Sequence, residues 1–157
     1  MDPDELLKIL RSFQEQNLEY VLIGATAMGF HGLVRATEDL DLLICPTPEN
    51  VERLRRALRV VYPGDPSVDE IRTEDLLGEY PAVRYYPPSG DLFLDILTRL
   101  GDAANYESVE SEVKEVEGVR VRVATPPALY HLKKGTVRPI DRQDAAALRE
   151  RFRLKGE

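Results

Sequence analysis

The sequence predicts an α/β (α+β) fold, a mixed β-sheet flanked by helices with further helices at its C-terminal end, and three observations carry that expectation. Apolar residues recur at helical spacing near the N-terminus. Short apolar runs alternate with helical stretches between Tyr20 and Leu58. Two strand pairs follow before the pattern returns to helix at Thr125.

Taken in order, Asp2 and Glu5 form a capping-box pattern around Pro3, and Leu6, Leu7, Leu10 and Phe13 share one face of a helix running to about Gln16. Tyr20–Ile23 is a short apolar run ending at Gly24, and Ala25–His31 is a short helical stretch closed by Gly32. Asp39–Ile44 reads as a strand stopped by Pro46, after which Thr47 and Pro48 open a helix with Val51, Leu54 and Leu58 inward. Residues 63–78 hold one or two helical turns. Val83–Tyr86 and Leu92–Leu97 read as strands joined through Pro87-Pro88-Ser89-Gly90, and Val109–Val116 and Val119–Val123 as a hairpin across Glu117-Gly118; these four are expected to make a sheet. Thr125 and Pro126 start a helix through Lys133, and Pro139–Phe152 forms a last one with Ala145, Leu148 and Phe152 inward. No repeat, low-complexity tract or linker interrupts this order, so residues 1–157 are expected to form one domain.

With 43% hydrophobic and 31% charged residues, the composition is that of a globular chain and excludes disorder. No apolar run approaches the ~20 residues of a membrane span, and Met1–Leu10 carries acids where a signal peptide carries bases, so a cytoplasmic protein with no membrane partner is expected. The single Cys45 has no intrachain disulfide partner and is expected to be a buried, inert thiol. A net charge of −7 argues against a protein whose whole surface grips nucleic acid. From His131 onward, however, eight bases stand against four acids, a cationic tail that is either a solvated helix face or a wall for phosphate.

The chemistry begins at Asp39-Leu40-Asp41. In a strand, residues two apart face the same side, roughly 7 Å apart, so both carboxylates point one way and Leu40 the other. Crowded carboxylates repel, and a divalent cation with a preference for oxygen, Mg²⁺ or Mn²⁺, neutralises them. Asp95 lies mid-strand in Asp91-Leu-Phe-Leu-Asp95-Ile-Leu, where a charge is costly unless it is used or paired with an arginine such as Arg84 or Arg99. His31 reads as a helix-end packing residue. Two histidines in all make a zinc site a poor fit.

The stretch from Tyr20 to Ile44, with Gly24-Ala25-Thr26, Arg35-Ala-Thr37 and Asp39-Leu-Asp41, resembles the signature of the DNA-polymerase-beta-type nucleotidyltransferases. It is most similar to the small branch that includes the abortive-infection (AbiEii-like) nucleotidyltransferase toxins. Leu129-Tyr-His-Leu-Lys133 resembles that family's helix ending in lysine, and Arg138-Pro-Ile-Asp141-Arg-Gln-Asp144 its Arg-x-Lys-Asp-x-x-Asp motif. Ala25 stands where the family has a second glycine, and Ile140 where it has a lysine.

The resemblance implies a nucleotidyltransferase fold, a nucleoside triphosphate such as ATP as substrate, and Mg²⁺ or Mn²⁺ as cofactor. It makes Asp39, Asp41 and Asp95 both the catalytic residues and the metal ligands. Nucleotide would be bound by Gly24, Ala25, Thr26, Arg35, Thr37, Lys133 and Arg138. Three activities follow as expectations: transfer of a nucleoside monophosphate to a hydroxyl of RNA, a protein or a small molecule; nucleotide or partner binding without catalysis, as in a toxin–antitoxin-like system; and metal-dependent phosphoester hydrolysis. A protein partner or a second copy of the chain would complete such a system.

Overall fold

The computed structural model describes residues 1–33, 37–78, 81–100, 104–134 and 139–154. Helix α1 spans Pro3–Glu15, with Pro3 in its first turn and the Asp2 side chain accepting from the Asp4 N–H at 2.9 Å. The expected capping box is not made. Glu5 does not reach back to residue 2; it accepts a 2.6 Å hydrogen bond from the Tyr62 hydroxyl, which ties α1 to the end of helix α3, Pro48–Val61. Ile9, Leu10 and Phe13 of α1 and Val51, Leu54 and Leu58 of α3 are fully buried.

Strand β1 (Tyr20–Ile23) runs directly into helix α2 (Gly24–Phe30), and β2 covers Asp39–Ile44. Residues 63–78 give a 3₁₀ turn at Pro66–Glu70 and the short helix α4, Thr73–Leu77. Then come β3 (Ala82–Tyr85), β4 (Phe93–Leu97), a two-stranded ladder of β5 (Arg99–Leu100) and β6 (Ala104–Asn105), β7 (Ser111–Val116) and β8 (Val119–Ala124). Helices α5 (Pro126–Lys134) and α6 (Pro139–Phe152) close the order and pack together. None of the described helices is long and apolar enough to cross a membrane.

Six strands form one mixed sheet in the order β3-β4-β2-β1-β8-β7. This corrects the expected four-stranded sheet: the β3–β4 and β7–β8 pairs sit at opposite edges, with β2 and β1 between them. Pairing is parallel for β2–β4 and β1–β8 and antiparallel elsewhere. The turn between β7 and β8 places Glu117 and Gly118 at φ of 47° and 81°, the left-handed backbone that a two-residue hairpin needs.

Alternation divides the sheet. Leu40, Leu42 and Ile44 are fully buried on one face, where Tyr20 meets Phe13 of α1 with ring centroids 5.3 Å apart. Tyr85 shares that side and donates to Asp65 at 2.6 Å. Asp39 and Asp41 point from the opposite face, toward the α2 end of the sheet. Cys45, just past β2, is half-buried rather than buried. Burial and the Glu19 and Glu107 carboxylates still raise its pKa, which keeps the thiol protonated.

Candidate metal centre

Parallel pairing puts Asp41 of β2 opposite Asp95 of β4, and alternation places Asp39 on the same side. One carboxylate oxygen from each of Asp39, Asp41 and Asp95 lies within 4.8 Å of the others, and all three residues are half-buried. Strands supply this precision because each carboxylate is fixed by a main-chain ladder rather than by a loop. Three acidic oxygens at this spacing suit a hard divalent cation and offer nothing to a soft one.

The surroundings hold these acids in place. Gly24 adopts φ +72°, and a Cβ there would collide with the Asp41 carboxylate, so the glycine makes room for the side chain across the β1–β2 pair. Thr26 is buried and its hydroxyl donates to the Asp39 carbonyl at 3.0 Å. Thr37 accepts from the Asp39 N–H at 3.1 Å. Both threonines therefore brace the backbone of the first aspartate. Ala25 lies inside α2 with ordinary helical backbone, and the positive φ belongs to Gly24, so a methyl group is accommodated where relatives have a second glycine.

Asp95 also meets the arginine partner that strand chemistry calls for. Arg84 Nε donates to Asp95 Oδ1 at 2.7 Å and Nη2 to Oδ2 at 3.3 Å, a two-pronged contact. Asp95, and after it Tyr86, makes the guanidinium harder still to deprotonate. Arg99 goes elsewhere, with Nη2 donating to the Gly78 carbonyl at 3.5 Å. Phe93 and Tyr86, absent from the expected site residues, have rings 5.5 Å apart beside this pair. The signal was present: Phe93 precedes Asp95 by two and so shares its face.

His31 is a packing residue. Its Nε2 lies 2.8 Å from the Ala124 carbonyl, and its ring meets Phe152 edge-on at 5.9 Å. Asp144, in the second C-terminal motif, is buried on α6. Arg35 and Arg138 lie outside the described residues, as do the side chains of Lys133 and Ile140.

Residues 5–155 match the family model for the nucleotidyl transferase AbiEii toxin of a type IV toxin–antitoxin system. Among solved structures, a Thermotoga maritima protein assigned as a nucleotidyltransferase superposes with a TM-score of 0.56 at 15% identity, over 99% of this chain and 97% of that one. An antigenic nucleotidyltransferase-like protein from Paracoccidioides brasiliensis gives 0.55 at 17% identity, over 94% and 77%. ANT(2")-Ia, solved in complex with adenylyl-2"-tobramycin, gives 0.55 at 18%, over 96% and 90%. No curated protein sequence matches the chain. At these identities the structural likeness establishes a nucleotidyltransferase fold.

Proposed function

The chain belongs to the nucleotidyl transferase AbiEii toxin family, and from that premise we propose that it transfers a nucleoside monophosphate from a nucleoside triphosphate to an acceptor hydroxyl. The observation that carries this reading is the carboxylate cluster on β2 and β4. Asp39, Asp41 and Asp95 would hold Mg²⁺ or Mn²⁺. A divalent cation bound there supplies Lewis-acid polarisation of the phosphate and lowers the pKa of the attacking hydroxyl.

The chain's own groups do the rest. Asp95, on β4 beside β3, would accept the acceptor's proton once Arg84 releases it. Gly24, without a side chain, leaves the Asp41 carboxylate its place against the start of α2, beside which the phosphate oxygens would bind. Thr26 and Thr37 keep Asp39 from shifting as charge arrives. A triphosphate carries about four negative charges, so Arg35, Lys133 and Arg138 are assigned to its outer phosphates. The acceptor would be an RNA end, a protein hydroxyl or a small aminoglycoside-like molecule. A second protein as partner would suit the toxin–antitoxin description of the family, which is the support for it.

Two measurements test the proposal. Millimolar Mn²⁺ or Mg²⁺ should raise the melting temperature, because a ligand of the folded state stabilises it, and Asp41→Asn should abolish the rise. Pyrophosphate release from a nucleoside triphosphate should accompany labelling of an acceptor. A full metal response in Asp41→Asn would place the ions elsewhere. Phosphate release without acceptor labelling would make the protein a hydrolase.

A further inference from the structure

Beside the acidic cluster, β3 and β4 build a second group of side chains. Antiparallel register sets Arg84 opposite Asp95, and the guanidinium engages both carboxylate oxygens. The same guanidinium lies 4.6 Å from the centroid of the Phe93 ring, and its Nη1 donates to the Tyr86 hydroxyl at 3.4 Å. Phe93 in turn stands opposite Asp39 in the β2–β4 register. Arg84 therefore rests on an aromatic shelf at the rim of the cluster. Its side chain is 51% exposed, against 24% for Asp95.

This contact competes with a metal. A carboxylate gripped at both oxygens offers a cation only its remaining lone pairs and a charge already largely balanced, and a cation arriving alone sets two positive charges side by side. A cation carrying a triphosphate is different, since the complex is an anion of about −2 and brings oxygens that fit a planar guanidinium as a carboxylate does. The ring face of Phe93 and the Tyr86 hydroxyl keep the guanidinium at the rim after Asp95 lets go.

We propose that Arg84 is an exchangeable counter-ion: it holds Asp95 until a metal–triphosphate complex arrives, then passes to a phosphate, so the site selects the complex over the free metal. This rests on the metal-centre reading above. It makes Arg84 a positioning and selectivity residue, distinct from the ligands themselves.

The test uses the full chain and Mn²⁺, followed by the paramagnetic resonance of the free ion, first alone and then with a non-hydrolysable nucleoside triphosphate. The expected result is that Arg84→Met tightens Mn²⁺ alone about two- to fivefold, the scale of a partly exposed ion pair, and weakens the complex by a similar factor. The preference for the complex then collapses. Arg84→Lys, which keeps the charge without the fork, should fall between, and gives the same comparison should the methionine variant not fold. An unchanged ratio of the two affinities, or equal weakening of both, would reduce Arg84 to a strut for Asp95 and overturn the proposal. If the unmodified chain binds neither form, the metal-centre reading fails first and the proposal falls with it.

Discussion

Gly24 shows how much one missing methyl group controls. Its φ of +72° is a left-handed conformation that costs an L side chain about 1–2 kcal/mol. A Cβ there would also stand 3.1 and 3.2 Å from Asp41 Cγ and Cβ, besides striking the carboxylate. Gly24→Ala is expected to lower the metal-free melting temperature and to shrink the further rise that Mn²⁺ produces, because Asp41 is pushed off the cluster. Melts with and without the ion read both effects, and a full metal-induced rise would break the steric link. The sequence marks Gly24 as a strand end before a helix, yet its contact with Asp41 arises only when β1 and β2 pair. Thr26 is similar: read as a hydroxyl for phosphate, it spends its proton on the Asp39 carbonyl. Asp39 and Asp41 were legible because a two-residue period is local. The choice of Arg84 over Arg99 was not, because register between β3 and β4 decides it.

At the scale of elements, α3 is fixed by its first turn. The Thr47 hydroxyl accepts from the Asn50 N–H at 3.1 Å. The buried Asn50 amide accepts from the Glu19 N–H at 2.9 Å and donates to the Glu19 and Cys45 carbonyls at 2.9 and 3.0 Å. One side chain thus locks the entry to β1 against the exit from β2. Asn50→Ala leaves three main-chain groups without that partner and should cost about 1–3 kcal/mol in chemical denaturation. A loss below about 0.5 kcal/mol would mean that water takes its place. Most helices and strands were legible from period and punctuation. Their order in the sheet was not, since a four-residue run such as Tyr20–Ile23 carries no record of its neighbours. The β5–β6 ladder escaped for the same reason, being too short for any period.

For the whole molecule, tyrosine burial sets an alkaline limit. Burial pushes Tyr20 up to about 12 from 10.0. Burial also raises Tyr62 and Tyr85, reinforced by hydrogen bonds to Glu5 and Asp65 respectively. The unfolded chain therefore loses these protons first as pH rises, so the stability they contribute is intact below about pH 10 and drains away above it, at up to about 1.4 kcal/mol per pH unit for each tyrosine. Denaturation midpoints should fall between pH 10 and 12, less steeply in Tyr20→Phe; a flat profile there would refute the coupling. The same sheet has a history during synthesis. β1 finds β2 as soon as Ile44 has emerged, but its other neighbour, β8, pairs Leu22 with Val123 from far along the chain. Such distant parallel pairing closes slowly, and an open apolar edge recruits foreign strands. The ribosome thus releases β2 and β4, with all three aspartates, before the last partner of Tyr20–Ile23, and the nascent chain carries an unpaired strand edge through that interval.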